Sequence, residues 1–244
     1  MNRREFLQPE RLGKLAGPML SIAGALDPSQ EEASAAPVLM RYARKAMATT
    51  FEVVLPFDAP EAAELAHAAL DEIDRLEAQL TVYRDTSEIA AINQQAAHRP
   101  IAVHPDLFEL LLLAKRLHRD TEGAFDIAVG ALIKTWGFHR RQGRVPTLAE
   151  LAAVRERIGM QHVALDPHKQ TVRFLRQGVE LNLGSIGKGY ALDRAARLIR
   201  PSVRHALLHG GHSSVLAFGD EAPGRRGWRV GISDPERPQR RRAI

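Results

Sequence analysis

Cysteine is missing from all 244 residues, which removes disulfides, thiolate metal sites and cysteine nucleophiles from the accessible chemistry. Its absence selects no compartment, because a cysteine-free chain folds equally well in oxidising and reducing surroundings. Aromatic residues are only 5% of the chain and are not interleaved with its basic residues. A nucleic-acid reader, which needs stacking rings beside cations, is therefore a poor fit. A long apolar run is lacking too. The stretch from Leu15 to Leu26 is short and interrupted by Pro18, well below the ~20 apolar residues that a membrane-spanning helix requires. No internal repeat is visible.

What remains is a chain that can bury a real core, since 45% of its residues are hydrophobic and its length suits one domain or two small ones. The formal net charge of +5 owes much to Arg3-Arg4 and to Arg240-Arg241-Arg242. Asn2-Arg3-Arg4-Glu5-Phe6-Leu7 resembles a twin-arginine export signal, and Ala23-Gly24-Ala25 resembles a cleavage site. Pro9, Lys14 and Pro18 break the apolar region between them, so an envelope or periplasmic location and a cytoplasmic one both stay open. Asp27 to Pro37, rich in Ser, Glu, Ala and Pro, reads as a linker. The expected division is a signal-like segment and linker over 1–37 and a folded body over 38–244.

Within the body, Thr50 to Leu55 reads as a strand. Pro60 to Leu80 reads as a helix, because Leu65, Ala69, Ile73, Leu76 and Leu80 recur at helical spacing. Pro105 to Asp120 is a second helix carrying Leu107, Leu110, Leu111, Ala114 and Leu117 on one side. A third opens at Thr147, where Glu150 completes a capping-box pattern. His162 to Asp166 and Thr171 to Leu175 read as a hairpin; Ala206 to Leu208, Ser214 to Phe218 and Trp228 to Ile232 read as further strands. Strands and helices mix without strict βαβ alternation, which points to an α+β fold.

The segment from Val179 to Asp193 is the most informative. Alternating apolar residues up to Leu183 read as a strand, Gly184, Gly187 and Gly189 as a turn, and Tyr190 to Arg200 as a helix. A glycine-rich turn feeding a helix start admits an anion close to unpaired amides and the positive end of the helix dipole, and Lys188 adds a mobile charge. The spacing matches neither a P-loop nor a Rossmann fingerprint, and strand termination with close packing would equally explain the glycines.

Five other stretches accompany this run: Lys45 to Phe51; Leu80 to Ile89 with Asn93; Gly123 to Leu132; Trp136-Gly137-Phe138; and His209-Gly210-Gly211-His212-Ser213-Ser214. In this order and spacing, over roughly residues 40 to 235, the chain resembles the ApbE-type FAD:protein FMN transferases. The resemblance implies a single α+β, T-fold-like body that binds FAD as substrate with Mg²⁺, and target flavoproteins of membrane redox complexes as partners.

It also implies roles. Met47 would lie against the FAD, where a thioether suits a flat ring, though a core methionine reads the same way. Ala48 stands where the family usually has glycine. Tyr83 would stack on FAD and hydrogen-bond to it, or be simply a surface tyrosine. Ala124, Phe125 and Asp126 match the segment along the cofactor, with Asp126 accepting from a ribityl or adenosine group or capping its own turn. Trp136-Gly137-Phe138 reads as a buried aromatic pair that needs no ligand. Asn182, at a position often aspartate, would hydrogen-bond the cofactor. Ser185 matches a magnesium ligand, and Lys188 would face the FAD pyrophosphate or solvent. His209 and His212 are spaced as a metal pair without a third ligand nearby.

The implied reaction moves FMN from FAD to a Thr or Ser hydroxyl of a flavoprotein and releases AMP. Related chains continue past Trp228 to Pro235 with a His-Ile-x-Asp-Pro-x-x-Gly segment that holds the catalytic histidine, and with further metal ligands. This sequence stops at Ile244, so no catalytic residue is assigned and the family body is expected to lack its C-terminal portion. FAD binding without transfer, as a carrier, an assembly factor or an inactive remnant, and FAD hydrolysis to FMN and AMP are the alternatives.

Overall fold

A computed structural model describes residues 38–140, 142–211, 213–221, 226–234, 236 and 241–243. The signal-like segment and linker over 1–37 lie outside the described residues.

Four antiparallel strands form the main sheet in the order β1 (Leu39–Ala46), β2 (Thr49–Pro56), β6 (Ala206–Gly210), β7 (Ser214–Phe218). Helix α1 (Ala62–Leu80) follows β2, and α6 (Gly187–Ile199) precedes β6; these two helices pack on each other and on the sheet. The inward residues of β2, Phe51, Val53 and Leu55, are fully buried, as the period-2 alternation of a strand requires. Along α1, Ala62, Ala66, Ala69, Leu70, Ile73, Leu76 and Leu80 are buried, while the expected Leu65 is only half-buried.

Between these helices come α2 (Glu88–Gln95), β3 (Ile101–Ala102), α3 (Pro105–Asp120), α4 (Gly130–Thr135), α5 (Leu148–Arg155), β4 (Val163–Asp166) and β5 (Thr171–Phe174). Strands β3, β5 and β4 make a second antiparallel sheet in that order. The helix expected over Pro105 to Asp120 and the hairpin around Asp166 are present. At Thr147 the capping box forms: Thr147 Oγ1 accepts from Glu150 N at 3.2 Å and Glu150 Oε2 accepts from Thr147 N at 2.8 Å. Arg144 and Thr147 together hold the Glu150 carboxyl down at about 2.

Two expected strands differ. Val179 to Leu183 is extended, with Val179, Leu181 and Leu183 buried, but joins no ladder. Its backbone is bonded piecewise instead: Gly130 N donates to Glu180 O at 2.9 Å, Asn182 N donates to Ile127 O at 2.8 Å, and the Asn93 amide closes both polar groups of Leu181 at 3.0 and 2.7 Å. Trp228 to Ile232 contributes only its end, to β8 (Gly231–Ser233), which pairs with β9 (Arg241–Ala243). The Trp228 indole N–H donates to Phe218 O at 3.1 Å, which ties this segment to the end of β7 through a side chain rather than a ladder.

Candidate functional site

The Asn182 side chain accepts from Gly184 N at 2.9 Å and turns the chain toward α6. Leu183 O then accepts from Ile186 N at 3.1 Å and Gly187 N at 2.7 Å, and Ile186 O accepts from Tyr190 N at 3.0 Å. Among the described residues the N–H groups of Lys188 and Gly189 meet no acceptor, so the first turn of α6 keeps the open donors that a helix start leaves. A Cβ placed on Gly187 or Gly189 would meet nothing within 4 Å. None of Gly184, Gly187 and Gly189 has a positive φ. The sign of φ therefore does not require them; Gly187 and Gly189 leave space in front of the unpaired amides, which suits an anion, whereas a Cβ on Gly184 would press on Asn182 Oδ1 at 3.0 Å.

Ion pairs orient this helix. Arg194, one face of α6, reaches Asp106 Oδ2 on α3 at 2.8 Å and Glu72 Oε1 on α1 at 3.3 Å, and Arg75 joins Glu72 at 2.7 Å. The Tyr190 hydroxyl donates to Asp106 O at 3.3 Å. The Arg75 guanidinium holds the Glu72 carboxyl below the usual range, and Arg194 does the same for Asp106. Both carboxylates thus contribute stability above the ordinary carboxylate range and lose it as pH falls through their depressed values.

Two other stretches come together with this helix start. Met47 and Ala48 are the central residues of the β1–β2 hairpin, with φ of 48° and 59°, the pattern of a type I′ turn. Met47 packs half-buried against the core and Ala48 is exposed. Gly211 N donates to Thr50 O at 2.9 Å beside that hairpin, and a Cβ on Gly211 would meet Thr49 Oγ1 at 2.3 Å. Lys188 Nζ donates to Ser213 Oγ at 2.9 Å. The hairpin turn, the loop after β6 and the start of α6 therefore converge at one end of the main sheet.

The Ala124-Phe125-Asp126 segment joins this cluster through backbone, since Ile127 O accepts from Asn182 N. Ala124 is exposed and Phe125 half-buried. Asp126 is engaged by its own fold: Oδ1 accepts from Ala128 N at 2.7 Å, and Oδ2 accepts from Met160 N at 3.1 Å and lies 3.2 Å from His118 Nδ1. Tyr83 is 65% exposed and stacks on His139; no contact among the described residues joins it to the α6 turn. Trp136 and Phe138 stack, but Phe138 is 48% exposed, which corrects the expectation of a buried pair.

For a cation the arrangement offers less. Ser185 is exposed in the turn before α6, and no group of three His, Cys, Asp or Glu side chains suited to a metal occurs among the described residues. Mg²⁺ commonly keeps several waters and takes few protein oxygens beside substrate phosphates, and Ser185 is the expected ligand that the turn presents. His209 Nε2 lies 3.2 Å from Glu52 Oε2, whose other neighbour is Arg41 Nε at 3.2 Å; His212 lies outside the described residues. Sequence reasoning missed the Asn93 clamp on Leu181 and the Arg194 network, whose members are scattered over three helices.

Among similar proteins, the FAD:protein FMN transferase of Salmonella typhimurium is 30% identical over 217 residues, covering 86% of this chain and 61% of that protein. The FAD:protein FMN transferase of Klebsiella pneumoniae is 34% identical, over 70% of this chain and 52% of its own length. The chain thus spans about half to three-fifths of the curated relatives it matches. The ApbE protein of Thermotoga maritima superposes with a TM-score of 0.76 at 26% identity, covering 82% of this chain and 65% of that one. The flavin transferase ApbE of Vibrio cholerae does so at 0.75 and 25%, covering 85% and 68%. With a mixed α/β body that matches these structures and the ApbE family model matching residues 47–244, the chain belongs to the ApbE family.

Proposed function

We propose that this chain carries out FMN transfer from FAD to a protein. The observation that supports it most is the open first turn of α6: unpaired Lys188 and Gly189 amides, no obstruction in front of Gly187 and Gly189, and the Lys188 ammonium beside them. A pyrophosphate suits this turn, where amides and a helix dipole stabilise negative charge that grows as the bridging bond breaks. A Thr or Ser hydroxyl of a target flavoprotein attacks the riboflavin-side phosphorus. A new P–O bond to the acceptor forms, the P–O bond to the bridging oxygen breaks, AMP departs with that oxygen, and the hydroxyl proton passes to a base.

In this reading Lys188 neutralises phosphate charge, Met47 and Tyr83 contact flat rings, and Asn182 and Ser185 border the pyrophosphate. Ser185 is the residue that would offer an oxygen to Mg²⁺, which when bound would neutralise pyrophosphate charge. In this reading the acceptors belong to membrane redox complexes, and a twin-arginine-like Arg3-Arg4 segment fits an envelope location, with a cytoplasmic one the alternative.

The test is to incubate the protein with FAD, Mg²⁺ and a flavoprotein domain bearing an acceptor threonine. An FMN-sized mass gain on the acceptor together with AMP release supports transfer. AMP without the mass gain assigns hydrolysis, and FAD binding without AMP assigns a flavin-binding protein; either outcome overturns the transferase reading for this chain.

A further inference from the structure

The Trp136-Gly137-Phe138 stretch ends next to a residue that neither composition nor motif singled out. His139, in the 3-10 turn Phe138–Arg140, lies face to face with the Tyr83 ring, centroids 4.9 Å apart and planes 20° from parallel. Tyr83 is 65% exposed, so an aromatic ring on the surface has one face covered by an imidazole from a distant part of the chain.

His139 also lines a cavity of about 490 Å³ with Lys134, Gly137, Gln142 and Arg144. The cationic walls of that cavity are held: Lys134 Nζ lies 2.7 Å from Glu180 Oε2, and Arg144 makes bonds of 3.0 and 2.7 Å to the Glu150 carboxylate. Gly137 anchors the turn, with φ of 75° and a Cβ position only 2.3 Å from Gln142 O. Among the described lining residues neither His139 nor Gln142 is held by a side-chain hydrogen bond, and His139 has volume beside it to enter.

We infer that His139 is a placeholder on the Tyr83 platform: its imidazole occupies the ring face on which the flat heteroaromatic ring of a dinucleotide docks, and it swings into the adjoining cavity when that ring arrives. This rests on the reading that Tyr83 contacts FAD. Displacement rather than insertion follows from spacing. Two rings that admit a third between them must stand about 7 Å apart, twice the ~3.5 Å contact distance, and here the separation is 4.9 Å. The incoming ring gains a stack only by ending one, so the apparent affinity is reduced by the fraction of molecules in which the platform is covered. A large fused ring overcomes that better than a small one, which makes His139 a selectivity element for the substrate's ring system.

The test is titration and stopped-flow binding of FAD, read by flavin fluorescence, with the full chain and its His139→Ala, His139→Phe, Tyr83→Ala and double Tyr83→Ala/His139→Ala variants. Expected for His139→Ala is FAD binding tighter by roughly 2- to 10-fold, the worth of one aromatic contact, mostly through faster association. His139→Phe keeps an aromatic placeholder and does not gain. Tyr83→Ala weakens binding, and adding His139→Ala to it brings no improvement. An unchanged or weaker His139→Ala overturns the placeholder, as does an equal gain in the Tyr83→Ala background. If the folded wild-type protein binds no FAD, the reading of the site fails and the placeholder with it, whereas intact wild-type binding with a failed His139→Ala gain overturns the placeholder alone.

Discussion

The Asp126 loop and the start of α6 both lie in stretches that carry the family resemblance, yet they spend their polar groups differently. Asp126 gives one oxygen to Ala128 N and the other to Met160 N and His118, so its carboxylate is a structural knot. The α6 turn leaves the Lys188 and Gly189 amides without acceptors and keeps space in front of two glycines. A motif residue that is already saturated by its own backbone holds a site in shape, while one left open is available to a ligand.

Substitutions sharpen this contrast. The largest stability loss is expected for Asp126→Ala, which strands two backbone amides: about 3 kcal/mol at roughly 1.5 per charge-accepting bond, measured by urea unfolding. Asp126→Asn is expected to lose a large part of it, since one amide nitrogen must face a backbone donor. Gly189→Ala reverses the pattern. An alanine stabilises a helix by about 0.5–1 kcal/mol over glycine, so the melting temperature rises while FAD affinity falls, expected about tenfold, by the loss of close approach. A Gly189→Ala protein with unaltered FAD affinity would break the contrast.

The hairpin gives a smaller effect. Ala48 sits at φ 59°, a conformation that costs a non-glycine residue about 1 kcal/mol. Ala48→Gly is expected to raise stability by up to that amount, read as a shift in denaturation midpoint with an unchanged m-value. Smallest and most local is acid sensitivity at α5. Glu150 is held at about 2, below its usual value, so its contribution is complete above the ordinary carboxylate range and fades as pH falls toward 2. Amide exchange in the first turn of α5 is expected to accelerate over that window, and Glu150→Gln to remove the pH dependence.

Much of the fold was legible because it follows local periodicity. The apolar spacing of α1 and α3 and the threonine–glutamate pair at α5 each name their own partner within a few residues. The Val179 to Leu183 segment reads as a strand yet joins no ladder, because alternation reports burial of every second side chain and says nothing about which backbone completes the hydrogen bonds. Asn93, far away in sequence, does so for Leu181. The exposure of Phe138 and the stack of His139 on Tyr83 were illegible for the same reason: both depend on where distant loops arrive. At the site, the sequence pointed to the α6 turn through its glycines and lysine, but it could not distinguish open amides from filled ones, nor foresee that Arg194 would aim the helix through Asp106 and Glu72.

The central claim is that the first turn of α6 receives the pyrophosphate of FAD, and residue-resolved amide hydrogen exchange with and without FAD tests it most directly. The account predicts fast exchange at Lys188 and Gly189 in the free protein and marked slowing at both when FAD binds. FAD binding that leaves these two amides exchanging at their free rate would contradict it.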